Sequence, residues 1–144
     1  MLQTNTFPKT SRVLAWAAMI NGVVCLASSF PVVLIPEPPL LVDASLLLLI
    51  SAAVTFLAGY FGLRHRQWAF WLLCAFCTLQ VVEYTSESAY FSLVGPLSLK
   101  IGFVRPSFAV DFNLLAALVA VLAARAALQI RKEKNAGTSE KHSE

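Results

Sequence analysis

Four long apolar runs, separated by short polar or proline-rich breaks, set the pattern of this chain. They are "VLAWAAMINGVVCLASSFPVVLI" (13–35), "ASLLLLISAAVTFLAGYFGL" (44–63), "WAFWLLCAFCTLQVVEY" (68–84) and "FAVDFNLLAALVAVLAARAALQI" (108–130). Each reaches the roughly 17–25 mostly apolar residues that carry a helix across a bilayer. None alternates polar and apolar residues along its length, as a strand of a membrane barrel does. The pattern predicts an all-α fold, an integral membrane bundle of four transmembrane helices forming one domain over residues 1–130.

The breaks agree with that count. "PEPPLLVD" (36–43) holds three prolines and predicts a helix-free turn, with Asp43 capping the second helix. "RHRQ" (64–67) reads as a tight basic turn. The stretch "RKEKNAGTSEKHSE" (131–144) is charged and poor in apolar residues, which predicts a disordered cytoplasmic tail. The connection between the third and fourth spans is different. It carries Tyr90, Phe91, Leu93, Val94, Leu97, Ile101, Phe103 and Val104, too much apolar surface to float in water. Residues 89–106 are therefore expected either to lie in the membrane interface or to dip in as a re-entrant piece bent at Gly95-Pro96.

Composition strengthens the membrane reading. The chain is 58% hydrophobic and 13% charged, where a soluble domain carries about 25% charged residues. The lipid bilayer is the expected solvent. A net charge of +3 needs no nucleic acid to explain it. The cations divide unevenly between the two ends of the spans. Lys9, Arg12, Arg64, Arg66, Arg131, Lys132, Lys134 and Lys141 fall on one side, and Lys100 and Arg105 on the other. Arg125 sits near the end of the fourth run, where its stem can snorkel. By the positive-inside rule both termini are cytoplasmic, in a multi-pass protein placed in a bacterial inner membrane. The first run is longer than the apolar core of a cleaved signal peptide.

Candidate chemistry is sparse. Cys74 and Cys77 form a Cys-x-x-Cys pair about 9 and 13 Å along the third run, and Cys25 lies about 18 Å along the first. Thiolate chemistry needs access and a stabilised anion, which mid-bilayer burial opposes. These cysteines read as small core residues, with a thiol-based soft-metal or redox site as the sharper alternative. His65 and His142 sit in a turn and the tail, so no bis-His haem can form, and there is no phosphate loop or H-E-x-x-H pattern. Residues 13–35 hold no acid, which speaks against proton-coupled export. No cofactor is expected.

The acids outside the tail are Glu37, Asp43, Glu83, Glu87 and Asp111. Asp43 and Asp111 begin their runs, where a carboxylate can cap a helix. Gln80, Glu83 and Glu87 share a face at the expected C-terminal end of the third helix, where the dipole opposes an anion. A Glu83–Arg105 or Glu87–Lys100 tether would compensate them. Gln80, Glu83, Glu87, Lys100, Arg105 and Asp111 are thus candidate walls of an outer vestibule for a ligand or partner. Two small-residue stripes, Ser51, Thr55 and Gly59, and Ala116, Ala120 and Ala124, suggest close packing of the second and fourth helices, within the bundle or across a homodimer.

No catalytic constellation is visible, so the leading expectation is a non-catalytic accessory or interaction subunit. It would dock another membrane protein through its outer loop and helix faces. The alternative is a binder or transporter of a small molecule or lipid through the outer vestibule.

Overall fold

The computed structural model describes residues 9–34, 39–86, 90–91 and 98–140. The element order is α1 (Lys9–Leu34), α2 (Pro39–Leu63), α3 (Gln67–Leu79), β1 (Val82–Ser86), β2 (Tyr90–Phe91), β3 (Lys100–Arg105), β4 (Phe108–Asn113) and α4 (Leu114–Glu140). Four helices dominate, and α1, α2 and α4 are each long and apolar enough to cross a membrane. At about 1.5 Å per residue, α1 with its 26 residues is about 39 Å long. The 13 residues of α3 reach only about 20 Å, short of a hydrocarbon core of about 30 Å.

Helices alone do not describe the fold. The four strands form one sheet in the order β2-β1-β4-β3, every pairing antiparallel. The third apolar run breaks at Leu79, and Val82 to Tyr84 belong to β1. The fourth run divides in the same way, with 108–113 in β4 and the helix starting only at Leu114. Where the returning segment is described it is extended: 100–105 are a strand that turns at Pro106-Ser107 into β4. The physical reason is alternation within short windows. "VEYTS", "KIGFVR" and "FAVDFN" each place apolar side chains on one face, the period of a strand. A chain that would have to be helical across 80–84 and 108–113 would bring Glu83 and Asp111 onto mixed faces; paired as strands, they share one.

Other boundaries move as well. α2 begins at Pro39, so Asp43 lies inside the helix and does not cap it. The stretch 131–140, expected to be disordered, continues α4 to Glu140. Glu87, Gly95 and Pro96 lie outside the described residues.

The Arg64–Arg66 turn is a helix stop of defined geometry. The Arg66 amide donates to Phe61 and the His65 amide to Gly62, both at 3.1 Å, while His65 adopts a left-handed φ of 57°. This is the Schellman arrangement, with histidine where glycine is usual. The guanidinium of Arg64 stacks 4.5 Å over the Tyr60 ring.

Helix packing corrects the expected α2–α4 pairing. The main helix pairs are α1 with α2 and α3 with α4. Ser51, Thr55 and Gly59 are buried, but the surface that covers Gly59 is α1. A Cβ at Gly59 would lie 2.7 Å from the Ala15 carbonyl oxygen and the Met19 amide nitrogen. Gly22 of α1 makes the reciprocal approach, its Cβ position 2.8 Å from the Phe56 amide nitrogen. On α4, Ala116 and Ala120 are buried and Ala124 only half-buried; the covered stripe continues instead through Ala123, Ala127 and Ile130. Together with Leu14, Ala15, Ala18, Ala58, Phe70, Leu73 and Cys77 it makes the core.

Candidate functional site

A polar neighbourhood forms where α3 passes into β1 and β4 passes into α4. Asn113 is its centre. Its amide donates to the Val81 carbonyl at 2.8 Å. Its Oδ1 accepts from the Ala116 amide at 3.2 Å, capping α4, and from the Leu99 amide at 3.4 Å. This residue, 2% exposed, thereby ties the entry to β1 through its backbone amide and the entry to β3 and the first turn of α4 through its side chain. The helix cap expected at Asp111 is supplied two residues later by Asn113. The signal was present, an Asn directly before an uninterrupted apolar run, but the run had been taken to begin at Phe108.

Glu83 does not sit on a helix end. It lies in β1, opposite Asp111 of β4, which in turn is opposite Gly102 of β3. The helix-dipole conflict disappears with the helix. The cation that meets it is Lys100, whose Nζ lies 2.9 Å from Glu83 Oε2. The expected Glu83–Arg105 tether does not form: Arg105 is at the far end of β3, its guanidinium 5.4 Å from the Phe103 ring centroid, while the expected Glu87–Lys100 tether involves a residue outside the described ones. Sheet register decides the matter. Lys100 and Glu83 flank β4 at its Asn113 end, whereas Arg105 pairs with Phe108 at the other. The carboxylate of Glu83 is buried and the Lys100 side chain is 36% exposed, so the pair is open to solvent on its cationic side. Asp111 folds over Gly102, where a Cβ would collide with the Asp111 carboxylate. A side chain at 102 would make the Asp111 carboxylate swing aside.

Beneath this polar patch a cavity of about 230 Å³ runs into the bundle. All four helices contribute to its wall. Its apolar lining includes Leu14, Ala18, Leu73, Ala116 and Val119, and its polar groups are Asn21, Thr55, Gln80 and Asn113. The Thr55 hydroxyl is already committed to the Ser51 carbonyl at 2.7 Å, and Asn113 Oδ1 to the α4 cap. The side-chain amides of Asn21 and Gln80, with the Asn113 Nδ2 donor, carry the remaining capacity. Of the six expected vestibule residues, Gln80 lines this cavity; Glu83, Lys100 and Asp111 gather on the adjoining sheet face; Arg105 stands apart; and Glu87 lies outside the described residues. Asn21 and Asn113 were not singled out as binding groups from the sequence.

The cysteines make no common site. Cys25 and Cys77 are buried and Cys74 half-buried, all with free thiols. Cys77 lines the cavity. Among the described residues no three His, Cys, Asp or Glu side chains are grouped to hold a metal ion.

No family model, curated protein or solved structure matches this chain.

Proposed function

We propose that the chain is a non-catalytic, four-span membrane protein that holds one small, mostly apolar molecule in the cavity between its helices. The cavity carries the reading. Its 230 Å³ is partly open and lined mainly by apolar side chains, where water finds few hydrogen-bonding partners and an apolar occupant is favoured over it. The volume is below the roughly 300–1,000 Å³ of drug-sized pockets and above the roughly 150 Å³ that admits a benzene ring. It suits a small ring system or the end of one acyl chain, oriented by the Asn21 and Gln80 amides.

The test uses the full chain purified in mild detergent. Native mass spectrometry should show a discrete added mass, and Ala116→Leu or Ala18→Leu, which fill the cavity, should remove it while helical circular dichroism is retained. A parent protein at its bare mass would overturn the proposal, as would an identical adduct in both filled variants. In either case the cavity is a packing gap, and an accessory or interaction role is the better reading.

In the same proposal the Arg64–Arg66 turn faces the cytoplasm, with both termini, in a bacterial inner membrane. Support comes from the eight-to-two division of Lys and Arg and from exposed Tyr60, Trp68 and Trp71 near that turn, aromatic residues typical of a membrane interface. A reporter active only outside the membrane should be silent when fused after Glu144; a strong signal there would reverse the orientation.

A further inference from the structure

The sheet is amphipathic in the sense opposite to that of a water-soluble sheet. Register and alternation put Glu83, Asp111, Asn113 and Lys100 on one face. On that face Glu83 and Asn113 are buried. The other face presents Val82, Tyr84, Ile101, Phe103, Phe108 and Phe112, every one of them exposed. A soluble protein would cover the second face and wet the first. Val104 and its pairing partner Ala109 are apolar on the polar face, near the Pro106-Ser107 turn.

Two further observations say what covers the aromatic face. The first is length. α3 falls about 20 Å short of α1, and the five residues of β1, at about 3.3 Å each, add about 16 Å. The sheet therefore stands at the level of the far halves of α1 and α2, across the boundary of a core about 30 Å thick. The second is continuity. Exposed Leu79 leads through Gln80 and Val81 to exposed Val82, and exposed Phe112 through Asn113 to exposed Leu114. The apolar surface of the sheet extends the outward apolar surfaces of α3 and α4 without a polar break on that side.

We infer that the aromatic face of the sheet lies against lipid at the headgroup–acyl boundary, as a β-structured part of the membrane surface of this protein. That depth also answers the edge problem. The Leu114 amide donates to the Leu99 carbonyl, so by alternation the backbone groups of Lys100, Gly102 and Val104 point away from β4. Among the described residues β3 is an edge strand; unpaired strand edges are not tolerated in hydrocarbon, whereas among headgroups water satisfies them. Arg105, near the hairpin tip, is placed to meet lipid phosphate. The inference does not depend on the cavity being occupied.

The test is fluorescence quenching in phosphatidylcholine liposomes. Cys25, Cys74 and Cys77 are replaced by alanine in the full chain, and a polarity-sensitive dye is attached to Phe103→Cys, Phe112→Cys or, on the opposite face, Val104→Cys. Lipids brominated on acyl carbons near the headgroup should quench most of the emission at 103 and 112 and little at 104, and aqueous iodide should show the reverse order. Quenching of 103 and 112 by iodide alone places the face in water. Protection from both quenchers means that protein covers it, in a second copy or otherwise. Either result overturns the inference. The unsubstituted protein supplies an independent readout: a lipid-soluble carbene reagent should label residues 101–112 as it labels exposed Leu118 and Val121 of α4. Labelling of α4 with none in 101–112 would equally overturn it.

Discussion

Where α1 crosses α2, the contact is backbone on backbone; where α3 meets α4, the chain leaves the helix and closes through a sheet, an ion pair and a capping asparagine. The first half is held by shape. Gly22 and Gly59 let two antiparallel helices approach until no Cβ fits between them, the means of association open to helices that gain nothing from burying apolar surface away from lipid. The second half is held by polar pairing: a sheet ladder, an ion pair and a side-chain helix cap. The cavity lies between the halves, walled by α1 and α2 on one side and α3 and α4 on the other. A rigid seam and a polar seam thus flank the cavity.

The glycine seam should give the largest effect. An overpacked contact costs about 1–3 kcal/mol, and the two sites touch different residues, so Gly22→Ala with Gly59→Ala should approach about 2–6 kcal/mol together. Denaturation in mixed micelles, followed by helical circular dichroism, would read it. A double variant as stable as the parent would show that the seam is not closely packed.

The polar seam comes next. Lys100→Met leaves the buried Glu83 carboxylate without its counter-charge. A fully buried pair would lose about 3–5 kcal/mol; with Lys100 more than a third exposed, about 2 kcal/mol is expected, between that range and the value of up to about 1 kcal/mol for surface pairs. Proteolysis within 99–113 should quicken, and Lys100→Glu combined with Glu83→Lys should recover much of the protection. Equal loss in the reversed pair would assign the effect to something other than pairing.

The smallest effect concerns the thiols. Cys74→Ala is expected to cost well under 1 kcal/mol and Cys77→Ala about 1 kcal/mol, the loss of a small buried group. Stability of the double variant checks this, and a bound metal lost with the thiols would contradict it.

These halves were not equally legible in the sequence. The α1–α2 hairpin followed from run length and the proline-rich break between the two runs, because a long apolar helix announces itself over any window of about 20 residues. The sheet did not, since its strands are five or six residues long and such a window averages their alternation into a uniform apolar signal. Once 80–84 was read as helix, Glu83 had to face a helix dipole, and its partner was sought by charge alone. Register names Lys100 instead. The small-residue stripe on α2 was visible, but spacing tells that a neighbour comes close and not which one. Gly22, the matching position on α1, is a single glycine in a long run. Asn113 was lost through a boundary error of a few residues, the least certain part of any reading from pattern.

The shortness of α3 has a consequence for how the chain is made. On the proposed four-span reading, the α1–α2 hairpin, with two full-length apolar helices, would enter the membrane as soon as both had left the ribosome. α3 would not follow alone. It is too short to span, and the β1 groups that face β4 would stay unsatisfied until β4 arrived, after 87–107 had been synthesised. The third crossing would therefore wait, held near the insertion machinery, and be released together with the fourth. Biosynthesis of this protein would proceed in two unequal steps, with the second vulnerable to any delay between Ser86 and Phe108.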